Sequence, residues 1–152
     1  MAIETRRLGA LDDEPAHEMF AVMAAAFGEV PQPLGDAYVR RLLTDDSFWA
    51  VAAFDGPRVV GGITAHTLPM TRSESSELFV YDLAVHDEHR RRGVGRRLVA
   101  ALRALAQEAG IPVVFVPAED DDADALAFYR SLAGEESGVA FFTWDATDPR
   151  SG

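Results

Sequence analysis

The sequence predicts a mixed α/β domain, on three observations. Short apolar runs rich in β-branched and aromatic residues recur at 48–54, 58–68, 77–85 and 113–116. Between them lie stretches with apolar residues at helical spacing, clearest at Val94, Leu98, Leu102, Leu105 and Ala109. The run 77–85 is joined to that helix by a basic loop with two glycines, Arg90-Arg91-Arg92-Gly93-Val94-Gly95-Arg96-Arg97.

The elements follow in order. Ile3 to Leu8 reads as the first strand. Asp12 or Asp13 can cap a helix that carries Ala16, Phe20, Met23 and Phe27. The stretch from Gly28 to Pro33 breaks it, with Pro31 and Pro33 as punctuation. A second helix covers Asp36 to Leu43. Phe48 to Phe54 is a strand, Asp55-Gly56 a hairpin turn, and Arg58 to Leu68 the partner strand. A polar loop from Pro69 to Ser76 leads into the strand Glu77-Leu78-Phe79-Val80-Tyr81-Asp82-Leu83-Ala84-Val85. After the basic loop, the helix runs to Ala109 and Gly110 stops it. Val113 to Val116 reads as a short buried strand, with Pro112 before it, where a missing N–H costs least. A fourth helix from Asp122 to Leu132 carries Tyr129, and Val139 to Trp144 is the expected last strand. Residues 1–145 are therefore expected to form one domain, with 146–152 a polar tail.

Composition narrows the function. At 152 residues the chain can bury one real core. It has no cysteine, so a disulfide, a thiolate metal site or a cysteine nucleophile within the chain is excluded. No apolar run approaches the ~20 residues of a membrane span, and the first residues lack a signal-peptide core, so a cytoplasmic location is the expectation. His17, His66, His86 and His89 show no convincing metal-ligand spacing; they read as surface residues and no metal is expected. The net charge of −11 argues against nucleic acid as a partner and favours small cationic ligands through long-range steering. Five of the 14 basic residues nevertheless lie between Arg90 and Arg97, while acidic residues gather at Glu119, Asp120, Asp121, Asp122 and Asp124. Two poles of opposite sign suit one anionic and one cationic ligand.

The basic pole is a phosphate-binding pattern. Glycine at a helix start lets a phosphate approach the backbone, and the N–H groups of the first turn bind it with help from the helix dipole. The dinucleotide pattern GxGxxG and the phosphate loop GxxxxGK[ST] are both absent. The pattern present, Arg-x-x-Gly-x-Gly after a long strand, resembles the acetyl-CoA signature of the GNAT N-acetyltransferases. Two further stretches support it: Tyr81-Asp82-Leu83-Ala84-Val85 before the loop, and Ala125-Leu126-Ala127-Phe128-Tyr129-Arg130-Ser131-Leu132 after it. The resemblance implies the GNAT fold, a mixed, mostly antiparallel sheet with splayed central strands flanked by helices, and acetyl-CoA as cosubstrate in the splay. Thr5-Arg6-Arg7-Leu8-Gly9, Phe48 to Asp55, Val59-Val60-Gly61, Leu68-Pro69 and Glu88-His89-Arg90-Arg91 are further similar to GNAT-type aminoglycoside 3-N-acetyltransferases. That group acetylates the 3-amine of the deoxystreptamine ring in gentamicin-like antibiotics and thereby confers resistance. The sequence departs from the group where Leu132 is followed by Ala133, with glycine only at Gly134, and in the aromatic ending Phe141-Phe142-Thr143-Trp144.

The resemblance implies direct transfer in a ternary complex without an acyl-enzyme. It assigns the backbone from Arg91 through Arg92, Gly93, Val94 and Gly95 to Arg96 to the pyrophosphate, with added charge from Arg90 and Arg96. Leu83 and Val85 would pair their backbone with the pantetheine arm as an added strand, with the Val85 N–H a donor to the thioester oxygen. Asp82, a carboxylate in an otherwise apolar strand, is the first choice for binding the reactive amine and acting as general base. The alternative is a structural aspartate paired to an arginine or to backbone. Glu119 and Asp120 are ammonium-binding candidates, with Glu119 a rival base; loop solvation is their alternative. Tyr129 is the expected general acid, and Tyr81 either lines the substrate site or belongs to the core. The family often forms homodimers, which the aromatic ending could serve. The competing functional readings are a GNAT enzyme for another polyamine or small amine, and a non-catalytic acetyl-CoA-binding sensor.

Overall fold

The computed structural model describes residues 2–30 and 32–151; Pro31, read above as a helix breaker, lies outside them. These residues fall into two compact units, 1–117 and 118–152.

The first unit is a five-stranded sheet in the order β1-β2-β3-β4-β5, made of β1 (Ile3–Arg7), β2 (Phe48–Asp55), β3 (Arg58–Pro69), β4 (Ser76–Val85) and β5 (Val113–Phe115). Neighbours are antiparallel except β4 and β5, which are parallel. Helices α1 (Asp13–Ala26), α2 (Asp36–Thr44) and α3 (Val94–Glu108) complete the unit.

Both faces of the sheet are covered, so β2 reads as a continuous apolar run rather than an alternating one. Trp49, Val51 and Ala53 pack on one face with Val94, Leu98, Leu102 and Ala106 of α3. Phe48, Ala50 and Ala52 pack on the other with Ala16, Met19 and Met23 of α1 and Val39 of α2. The α3 residues recur at i, i+4, i+8 and i+12 along one stripe, and each large aliphatic side chain buried there contributes about 1.5–3 kcal/mol. Arg7, at the end of β1, stacks its guanidinium 3.6 Å above the Trp49 ring and donates to the Phe48 carbonyl at 2.9 Å, fixing the rim of this layer.

The pairing of β4 with β5 is short, running only from Glu77–Val113 to Phe79–Phe115. β4 continues to Val85 with β3 alone beside it, so its other edge opens into the splay that the fold class requires. β5 is less buried than its composition suggests. Val113 is 44% and Phe115 39% exposed, because β5 is the edge strand.

The second unit contains α4 (Ala123–Ser131). The Asp122 carboxylate caps it by accepting from the Ala125 N–H at 3.0 Å. The expected last strand, Val139 to Trp144, is not formed: those residues make no ladder. Val139, Phe141, Phe142 and Trp144 are all exposed there. The β-branched and aromatic pattern gives strand propensity, but propensity does not make a strand without a neighbour to pair with.

Candidate active site

A β-bulge builds the site. Along β4, Asp82 lies opposite Thr64 and Val80 opposite Ala65, so Tyr81 is an extra residue without a partner on β3. Side chains alternate across a sheet, so Asp82 would otherwise share the face of Leu78 and Val80, in the core beneath α3. The extra residue reverses the alternation: Ala84 packs on the α1 face, while Leu83 and Val85 pack against the α3 core. Asp82 is thereby turned onto the α1 face.

There it opens on a cleft of about 620 Å³ lined by Phe20, Met23, Ala24, Phe27, Glu29, Thr64, Tyr81 and Asp82. A row of rings connects its lining residues Phe20 and Tyr81: Phe20–Phe48 at 6.4 Å, Phe48–His66 at 5.4 Å and His66–Tyr81 at 5.9 Å between centroids, with Phe79 6.1 Å from Tyr81. Asp82 is half-buried. Burial holds its carboxyl above the ordinary carboxylate range, and the nearby Glu29 charge adds to the effect. Tyr81 is 64% exposed and lines this cleft, so it does not belong to the core. Among the described residues no ion pair holds Asp82, so the structural-arginine alternative finds no support.

The α1 contribution was missed in the sequence. Phe20, Met23 and Phe27 read there only as the core stripe of a helix. Nothing in the sequence marks Glu29 itself, although Gly28 just before it is the signal that locates it. Gly28 has φ +73°, and the N–H groups of Gly28 and Glu29 donate to Ala25 and Ala24 carbonyls, both at 3.0 Å. This closing motif fixes where the chain leaves the helix.

The loop after β4 has the shape of an anion cradle. His86 N–H donates to the Val60 carbonyl of β3 at 2.8 Å. By alternation, the N–H groups of Val85 and Leu83 face the open edge of β4. A short 3-10 turn at Asp87–His89 follows. Arg91 (φ +61°) and Gly93 (φ +78°) both take the left-handed conformation, and Gly93 caps α3 without a side-chain bond. The first N–H groups of α3 therefore point out of the helix end with no intrahelical acceptor, beside exposed Arg90, Arg91 and Arg92. These features fit a pyrophosphate. The Val94 side chain is buried in the α3 core, so that residue has only its N–H to offer. Arg96 and Arg97 are both exposed, and Arg97 donates to the Ile3 carbonyl at 2.5 Å.

The histidines correct the sequence reading in part. His89 is buried, not a surface residue, and sits 3.3 Å from the Asp55 carboxylate. The 3-10 turn brings His86, Glu88 and His89 together, with one potential ligand atom each within 4.8 Å of the others. A cation is already there: the Arg58 guanidinium lies 3.6 Å from the Glu88 carboxylate and 3.4 Å from His86 Nε2.

In the second unit, Glu119 and Asp120 are exposed on the loop before α4. Tyr129 lies on α4 half-buried, its ring 5.2 Å from that of Phe128.

Residues 12–134 match the Acetyltransferase (GNAT) family, and the chain belongs to it. Members of this fold family use acetyl-CoA, the ligand for which the cradle and the open β4 edge are suited. The chain is similar to an aminoglycoside acetyltransferase, HMB0005, from an uncultured soil metagenomic sample: 33% identity, TM-score 0.87, covering 97% of this chain and 100% of that one. It is also similar to the aminoglycoside acetyltransferase meta-AAC0020, again from an uncultured soil metagenomic sample and solved with sisomicin: 29% identity, TM-score 0.86, covering 93% and 95%. Human N-acetyltransferase 8 is 27% identical over 95 residues, 62% of this chain and 41% of that protein. The chain thus spans less than half the length of the curated relatives it matches.

Proposed function

We propose that the protein is an aminoglycoside N-acetyltransferase that acetylates the 3-amine of gentamicin-like compounds in a ternary complex with acetyl-CoA. The observation that carries this reading is the half-buried Asp82 carboxylate, turned by a bulge into an aromatic, anionic cleft beside the open edge of β4. The similarity to two aminoglycoside acetyltransferases supports the substrate class.

In this reading acetyl-CoA supplies an acetyl group activated as a thioester. The backbone of Arg91 to Arg96 and the charges of Arg90 and Arg96 hold its pyrophosphate. Leu83 and Val85 align its pantetheine arm, and the Val85 N–H is the donor for carbonyl charge. Asp82 binds the substrate ammonium and takes its proton, directly or through water. Its raised proton affinity brings it closer to that of an amine and so favours the transfer. Glu119 and Asp120 add negative charge for a polycation, with Glu119 the second candidate base. Tyr129 is the hydroxyl assigned to give a proton to the leaving group; a phenol, with a reference pKa of about 10, suits a thiolate.

Thiol release from acetyl-CoA with gentamicin, sisomicin, kanamycin and spermidine tests the proposal. Fast release with gentamicin and sisomicin, with the acetyl group on the 3-nitrogen, is the expected result. Release with spermidine alone would move the reading to another polyamine, and none with any amine would remove the enzymatic reading.

A further inference from the structure

We propose that Glu29 is a second ammonium-binding carboxylate of the cleft, so that the acceptor this site selects carries at least two amines. This rests on the reading of the cleft as an amine-acceptor site.

Among the described residues, Glu29 and Asp82 are the only formally charged ones lining the cleft, and both are acidic. The remaining lining is apolar or aromatic apart from the Thr64 and Tyr81 hydroxyls. One ammonium answers one carboxylate. An acceptor with a single amine, seated at Asp82 for reaction, leaves the exposed Glu29 to water alone. Among the described residues no cation of the protein pairs with Glu29 or with Asp82. By contrast, the carboxylates at the start of α1 are engaged: Asp12 pairs with Arg6 at 3.0 Å and Asp13 with Arg40 at 2.8 Å.

The position of Glu29 is set by the fold. Its N–H is tied to the Ala24 carbonyl at 3.0 Å, and the left-handed Gly28 turns the chain there. The backbone that carries the carboxylate is thus anchored to α1, the helix that supplies the apolar wall. Phe20, Phe27 and Tyr81 offer flat faces suited to the carbon frame of a ring-bearing polyamine and to its ammonium groups. Glu29 also stands close enough to raise the proton affinity of Asp82.

The test compares wild type with Glu29→Gln, using gentamicin as a polyammonium probe and cyclohexylamine as a monoammonium competitor. Glu14→Gln, an exposed carboxylate at the other end of α1, controls for net charge. Steady-state kinetics and calorimetric binding are read together. The expected result is a rise of about twofold to fivefold in KM and Kd for gentamicin, the size of one exposed ion pair. The accompanying expectations are kcat within about twofold and unchanged acetyl-CoA affinity. The cyclohexylamine inhibition constant and the Glu14→Gln variant should also stay unchanged. Unchanged gentamicin KM and Kd, or an equal shift for cyclohexylamine, would overturn the proposal. If wild type turns over no amine, the acetyl-transfer reading fails on its own and calorimetry decides this one. Gentamicin binding weakened by Glu29→Gln would support it, whereas equal binding, or none to wild type, would overturn it.

Discussion

Asp82 stands opposite Thr64 across β3 and β4, one residue past the bulge that leaves Tyr81 without a partner. That single extra residue decides whether the carboxylate points beneath α3 or into the cleft bordered by α1. It is the structural step that converts an acidic residue in an apolar strand into a group that can meet a substrate.

A carboxylate held in this way costs stability. Burial and Glu29 raise the proton affinity of Asp82 in the folded state, so the native protein retains this proton at pH values where the unfolded chain has lost it. Stability should therefore fall as pH rises from the ordinary value of 3.8 through the raised one. Asp82→Asn should melt at a higher temperature than wild type at pH 7, and the difference should shrink as pH approaches that ordinary value. Thermal unfolding across this range, for both proteins, reads the effect.

The packing of α1 on the sheet depends on a glycine. A Cβ at Gly62 would lie 2.4 Å from Met19 Cε and 2.6 Å from Met19 Cγ, inside a fully buried contact. Gly62→Ala should destabilise by about 1–3 kcal/mol through overpacking. Met19→Ala alone should cost about 2–5 kcal/mol. The two together should cost less than their sum, because the shorter side chain makes room for the new methyl. Denaturant unfolding of the four proteins in a double-mutant cycle measures the coupling.

Gly93 has open space around its Cβ position, so only its left-handed φ of +78° penalises a side chain. Gly93→Ala should cost about 1–2 kcal/mol, while Gly93→Asn should recover part of it. Acetyl-CoA affinity should fall with Gly93→Ala, because the same conformation aims the first N–H groups of α3. Calorimetric titration with acetyl-CoA beside chemical denaturation separates the two losses.

Attraction of a polycation to a chain of net charge −11 is a long-range effect. Raising ionic strength should lower kcat/KM for gentamicin and leave kcat nearly unchanged. A salt series of initial rates reads it.

The sequence made the main outline legible for physical reasons. The helical stripe from Val94 to Leu102, the Asp55-Gly56 hairpin and the glycines at 93 and 110 are local signals, and each marks an element of the structure. The cradle was legible because a strand, a basic loop and a helix start are contiguous in sequence. The α1 wall was not, because Phe20 and Phe27 follow the same periodicity whether they face a core or a cleft. The bulge at Tyr81 was hidden as well: an unbroken apolar run carries no sign of where its partner skips a residue. The final segment misled in the opposite way. Val139 to Trp144 has strand composition, but pairing requires a neighbour that composition does not supply.

The most direct test of the central role given to Asp82 is the turnover of Asp82→Asn with acetyl-CoA and gentamicin, measured beside acetyl-CoA binding. The amide keeps the shape but cannot take a proton. The account predicts a fall in kcat of about 10²–10⁴-fold with acetyl-CoA affinity within about twofold of wild type. Turnover within a few-fold of wild type would contradict it and move the base to another carboxylate.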